Sequence, residues 1–142
     1  LFRSLQSNES QSVSLREEME FASAYIFLLK MRFENNLQFD IQIAKSFEDY
    51  RLPPMAVQVL IENAVKHNEI SDRKPLTIHI VTNNEGYLSV SNDIQPKRTA
   101  ASGTGIGLVN LAKRYRLLFK QDIQITEDKE FSVCIPLIDE VQ

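Results

Sequence analysis

The order of elements predicts an α/β two-layer sandwich, a mixed and mostly antiparallel sheet with helices on one face. Three observations lead there. Apolar residues recur at helical spacing over roughly residues 15–35, 52–68 and 107–119. Leu37-Gln38-Phe39-Asp40-Ile41-Gln42-Ile43 alternates strictly, the mark of a strand with one face on a core. Two hairpins follow: Leu76 to Val81 with Tyr87 to Val90, turning at Asn83-Asn84-Glu85-Gly86, and Ile123 to Ile125 with Phe131 to Leu137, turning at Glu127-Asp128-Lys129-Glu130. Single helices interleaved with hairpins favour helices on one face of such a sheet.

At 142 residues, one core is expected. The composition, 43% hydrophobic and 25% charged, is that of a globular chain. A net charge of -3 argues against a nucleic-acid surface, whose footprint would be basic. Cys134, as the single cysteine, can form no internal disulfide. No apolar run approaches the length of a membrane span, so no membrane contact by this segment is expected. The chain does not begin with Met, and a piece of a longer protein is expected.

In chain order, Leu1 to Val13 reads as a frayed segment or as the tail of an upstream element. Ser14-Leu15-Arg16-Glu17 is a capping box, in which serine and glutamate satisfy each other's backbone amides. The helix it opens carries a seam at Leu15, Met19, Ala22, Ile26, Leu29 and Phe33, widened by Phe21, Tyr25 and Leu28. That face packs on its own domain or forms a dimer seam. After the strand at 37–43, the polar connection Phe47 to Tyr50 leads to the most informative helix. Leu52-Pro53-Pro54 opens it, since a proline at the first helical position gives up only an amide without a partner. Met55, Ala56, Val57, Val59, Leu60, Ile61, Ala64 and Val65 would cover most of its circumference, so it should be largely buried.

Its last turn is polar: Asn63, Lys66 and His67 share one face, with Glu62 and Lys66 an i, i+4 pair beside them. Taken singly, His67 could close the helix as an imidazolium favoured by the dipole, and Lys66 could be a solvated partner of Glu62. Asn63 is harder to explain as structure, because asparagine is a mediocre helix former and a buried amide needs partners. His79 reads as a side chain on the outer sheet face, Cys134 as a structural thiol, and Arg114 and Arg116 as solvating their helix.

Three of the four glycines stand in Ser102-Gly103-Thr104-Gly105-Ile106-Gly107-Leu108, immediately before a helix. Such glycines admit positive φ and close approach to a ligand, and the following helix directs its first amides and positive dipole end into the loop, an arrangement suited to phosphate. The P-loop ending is absent, and the dinucleotide fingerprint fails because Leu108 stands where its last glycine would be.

Leu-Pro-Pro-Met…Ile-Glu-Asn-Ala-Val-Lys-His-Asn resembles the asparagine box of the GHKL ATPase superfamily, and Gly-Thr-Gly-Ile-Gly-Leu-Val-Asn-Leu its second glycine box. With Leu-Arg-Glu-Glu-Met-Glu-Phe upstream and Lys-Arg-Tyr-Arg-Leu-Leu-Phe downstream, the chain resembles the ATP-binding domain of LytS-type sensor histidine kinases, from about Leu15 to Leu137.

The resemblance implies a Bergerat-type sandwich, with residues 1–34 a helix leading from an upstream phospho-acceptor and dimerisation segment and 35–142 the ATP-binding kinase domain. It implies ATP and Mg²⁺ as cofactors. Asn63 would hold Mg²⁺ between the phosphates, Lys66 would contact phosphate as a point charge, His67 would hydrogen-bond phosphate or ribose, and Glu62 would polarise the attacking group. Gly103, Thr104, Gly105, Ile106, Gly107 and Leu108 would cradle the phosphates, beneath a lid from Ile94 to Ser102 that brings Lys97 and Arg98. Asn92 stands where the family's adenine-binding aspartate would be, and the glycine that follows in the family is missing.

The implied reaction passes the γ-phosphoryl to a histidine outside this chain, in a homodimer anchored in the bacterial inner membrane with this domain cytoplasmic, and then to a response regulator. Neither histidine present suits the acceptor role. A catalytically silent nucleotide-binding or dimerisation module and another GHKL ATPase or serine kinase are the alternatives.

Overall fold

A computed structural model describes residues 12–97 and 105–140. Its main sheet has five strands, β2 (Leu37–Gln42), β4 (Leu76–Thr82), β5 (Tyr87–Asp93), β6 (Gln124–Glu127) and β7 (Glu130–Pro136), in the order β2-β4-β5-β7-β6. Only β2 and β4 run parallel, and every other neighbour is antiparallel. The parallel pair requires a crossover, supplied by α2 (Ala56–His67). α1 (Leu15–Phe33) and α3 (Ile106–Phe119) pack on either side of α2, so the predicted two-layer sandwich is the observed one.

The capping box forms as expected: the Glu17 amide donates to Ser14 Oγ at 3.1 Å, and the Ser14 amide to Glu17 Oε1 at 3.1 Å. The segment read as a frayed tail is paired at its end. Val13–Ser14 (β1) lies antiparallel to Arg51–Leu52 (β3), and Arg51 reaches back to the hydroxyl and carbonyl of buried Ser12. The 47–50 connection is ordered as well. Phe47 and Tyr50 meet edge to face at 4.8 Å, and the carbonyls of Tyr50 and Glu48 accept the amides of Leu15 and Arg16, closing the start of α1.

Leu15, Ala22, Ile26 and Leu29 of α1 join the common core with Leu60 and Ile61 of α2 and Ile78, Ile80, Leu88, Val90, Val133 and Ile135 of the sheet. Each fully buried leucine or isoleucine contributes about 2 kcal/mol over the exposed state. The α1 seam thus packs on its own domain, whereas Phe21 and Leu28, expected to widen it, are exposed. β2 is an edge strand; its inward alternation decays from buried Leu37 to exposed Ile41. His79 is on the outer sheet face, paired with Asp40 at 2.9 Å from the facing position on β2, and Cys134 is half-buried on the same face.

α2 begins later than the prolines suggest. Pro53 and Pro54 precede it, Met55 caps it in the left-handed region at φ 70°, and Ala56 is the first helical residue. The cause is tertiary. Buried Glu18 of α1 accepts the Met55 amide at 2.9 Å and the Val57 amide at 3.0 Å, a cap supplied from another helix that prolines at those positions could not use. Burial raises the Glu18 carboxyl above its ordinary range, and these hydrogen bonds oppose the shift. Arg114, expected to solvate α3, donates instead to the Pro54 carbonyl and is half-buried. Arg116 does lie in solvent, 3.3 Å from Asp122.

Candidate functional site

The amphipathic break in α2 comes at its C-terminal end. Ala64 and Leu60 face the core while Val59, Glu62, Asn63, Lys66 and His67 turn outward, so Val59 and Val65, expected inside, are only half-buried. Buried Asn68 ends the helix: its amide donates to the Ala64 carbonyl at 2.8 Å, and its carbonyl oxygen accepts the Gln95 amide at 2.7 Å. The Glu69 amide donates to the Gln95 carbonyl at 2.6 Å, and the Gln95 side chain donates to the carbonyls of Glu69 and Lys74. The start of the expected lid, Ile94–Lys97, is thereby tied to the end of α2.

α3 enters from the other side. Gly105, its N-cap, has φ 84°, a conformation that carries no Cβ penalty for glycine alone, and a Cβ there would meet nothing within 4 Å. At Gly107 a Cβ would lie 3.4 Å from Val59, so this glycine marks where α3 comes against α2. The first helical hydrogen bond runs from the Val109 amide to the Gly105 carbonyl at 2.8 Å, leaving the amides of Ile106, Gly107 and Leu108 ahead of the ladder. The last turns of α2 and the entry of α3 line one cleft of about 1600 Å³.

Glu62, Asn63, Lys66, His67, Gly105, Ile106, Gly107, Leu108 and Lys97 all line that cleft. Gly103, Thr104 and Arg98 lie outside the described residues. Asn92 is placed differently. It sits on β5 at 1% exposure, faces the core opposite Phe131 and donates its amide to the Asp93 carbonyl at 2.7 Å, and it is not among the lining residues.

The cleft also takes residues that neither box indicated: Tyr25, Arg32 and Phe33 from α1, and Ile70, Arg73 and Lys74 from the loop after α2. Their only sequence signals were an aromatic beside the α1 seam and charge in the loop. Among the lining residues Arg32, Lys66, Arg73, Lys74 and Lys97 are basic and Glu62 and Glu69 acidic, five against two, a local charge of +3 in a chain of -3. Such a cleft concentrates anions. His67 is held below its ordinary value of 6.5, first by burial and then by Lys66 and Lys97. Burial and the two lysines thus both favour the neutral imidazole.

Among the described residues no group of three or more His, Cys, Asp or Glu side chains could hold a metal ion. Asn63 offers one hard amide oxygen, which suits Mg²⁺ only where phosphate oxygens and water complete the octahedron. The donor set thus fits the ion together with a polyphosphate.

No family model matches the chain. It is 35% identical over 141 residues to the sensor protein LytS of Streptococcus mutans, covering 88% of this chain and 24% of the relative. It is 28% identical over 128 residues to the sensor histidine kinase BtsS of Escherichia coli K12, covering 88% and 23%. The chain is homologous over most of its length to part of the LytS-type sensor histidine kinases. It spans about a quarter of the length of these curated relatives. The nucleotide-free catalytic domain of the histidine kinase ThkA shares the fold, with a TM-score of 0.60 at 18% identity over 90% of this chain and 99% of that one. The sandwich is accordingly a fold shared with a histidine kinase catalytic domain.

Proposed function

We propose that this LytS-type domain binds Mg-ATP in the cleft between α2 and α3 and donates its γ-phosphoryl to a histidine elsewhere in the full-length sensor. One observation carries the reading: the polar end of α2 and the amides that open α3 line the same basic cleft. In this reading the amides of Gly105, Ile106, Gly107 and Leu108 receive the phosphate chain at the positive end of α3, joined by Gly103 and Thr104. Lys66 acts as a point charge, and neutral His67 donates a hydrogen bond without adding charge. Asn63 would hold Mg²⁺, which would supply neutralisation of the charge that develops during transfer.

In the transfer, the bond from the γ-phosphorus to the bridging oxygen breaks as a phosphorus–nitrogen bond forms. The bridging oxygen leaves with its electron pair on ADP. Glu62 accepts a hydrogen bond from the acceptor ring and makes its attacking nitrogen more nucleophilic. Positioning and charge neutralisation then account for most of the rate.

The same reading makes α1 the link to an upstream acceptor and dimerisation segment, places the whole protein at the inner membrane as a homodimer, and hands the phosphoryl on to a response regulator. Buried Asn92 favours a second reading, a silent nucleotide-binding module, since an amide replaces the charge that would strengthen adenine binding. Calorimetric titration with Mg-ATP separates the two. Binding that needs Mg²⁺ and is lost in Asn63→Ala with an unchanged melting temperature supports the kinase domain. Absence of heat at millimolar nucleotide leaves a silent dimerisation module, and a collapsed fold in the variant makes Asn63 structural.

A further inference from the structure

The wall that α1 adds to the cleft has a chemistry of its own. The Arg32 guanidinium lies 4.6 Å from the centroid of the Phe33 ring, and both side chains line the cleft. Stacking occupies the flat face of a guanidinium and leaves its N–H edges for planar or tetrahedral anions, held with less freedom to lose than a lysine would have. Among the described residues, no hydrogen bond or ion pair takes up those edges. Two turns earlier on α1, Tyr25 lines the same cleft. Its hydroxyl is pushed up first by burial and next by the charge of Glu62, while Arg32 opposes the shift, so both charges stand near it. Arg32, Tyr25 and Glu62 all line the cleft between α1 and α2.

We propose that Arg32, steadied by Phe33, is a phosphate-binding residue supplied by α1 that takes the terminal phosphoryl group of the nucleotide beside Glu62. This rests on the nucleotide reading above. α2 is the floor of the cleft, with α3 on one flank, where Gly107 packs at Val59, and α1 on the other. A phosphate chain entered from the amides of α3 and held at Asn63 crosses that floor and reaches Arg32 last. The γ-phosphoryl is the group that lies farthest along the chain and the one that ADP lacks. The arginine thus distinguishes the triphosphate from the diphosphate and neutralises the group being transferred, at the end of the cleft where an acceptor would approach.

Calorimetry of the 142-residue chain with Mg-ATP and with Mg-ADP tests this in wild type, Arg32→Ala and Arg32→Lys. Arg32→Ala is expected to lower ATP affinity roughly tenfold to a hundredfold while ADP affinity stays within about twofold. Arg32→Lys, which keeps the charge but not the fork, is expected to recover part of the loss. Equal loss for both nucleotides, or none for either, overturns the proposal while leaving the nucleotide reading intact. A wild-type chain that binds neither nucleotide overturns both.

Discussion

The two ends of α2 stand in opposite surroundings. At the first turn, buried Glu18 takes the amides of Met55 and Val57, and Arg114 takes the Pro54 carbonyl, so three elements are tied at one point. At the last turns, Asn63 is half-buried, Glu62 and Lys66 are exposed, and the side chains are directed into a basic cleft. A helix fixed at one end by interior hydrogen bonds can hold polar groups toward a ligand at the other without their also having to secure the fold. Asn68 is the exception at the open end, because its two hydrogen bonds serve structure.

Removing the closed end should do the most damage. Glu18→Ala leaves the Met55 amide and the buried Val57 amide without this acceptor, and a loss of about 3 kcal/mol is expected in urea unfolding. An unchanged midpoint would mean that the cap contributes nothing to the tie. Asn68→Ala comes next, at about 2 kcal/mol, and amide hydrogen exchange should quicken at Glu69 and Gln95 while the start of α2 stays protected.

At the entry of α3, Gly105→Ala meets no steric neighbour, so only left-handed backbone strain remains and about 1 kcal/mol should be lost. A larger loss would show that the glycine also answers to close packing. The smallest effect belongs to His67. Its folded value lies below that of the unfolded chain, so its stability contribution is present above pH 6.5 and declines as the pH falls through the depressed folded value. His67→Gln should flatten the dependence of the unfolding midpoint between pH 7 and pH 5 by that contribution, and an unaltered slope would put the titration elsewhere.

Much of this arrangement was legible in the residues. The capping box at Ser14, the turn at Asn83 to Gly86, and the two polar boxes each depend on neighbours within a few positions, where spacing alone fixes which groups can meet. The late start of α2 was not legible, because a local rule about prolines gave way to a carboxylate 37 residues upstream. Glu17 and Glu18 look alike as acids in a first helical turn. About 100° of helical rotation sends one to the capping box and the other into the interior. Arg114 misled for a similar reason, since its partner carbonyl is 60 residues away.

By itself the sequence determined the helices, the hairpins and the two short segments whose residue types suit a cation and a phosphate, since period and turn chemistry are properties of adjacent residues. Only the tertiary structure decided that those segments share one cleft, that α1 closes a third side with Arg32, and that Asn92 is buried outside the lining. Each depends on crossing positions of α1, α2 and α3 over the sheet, and those positions follow from long-range packing and buried hydrogen bonds that no local spacing encodes.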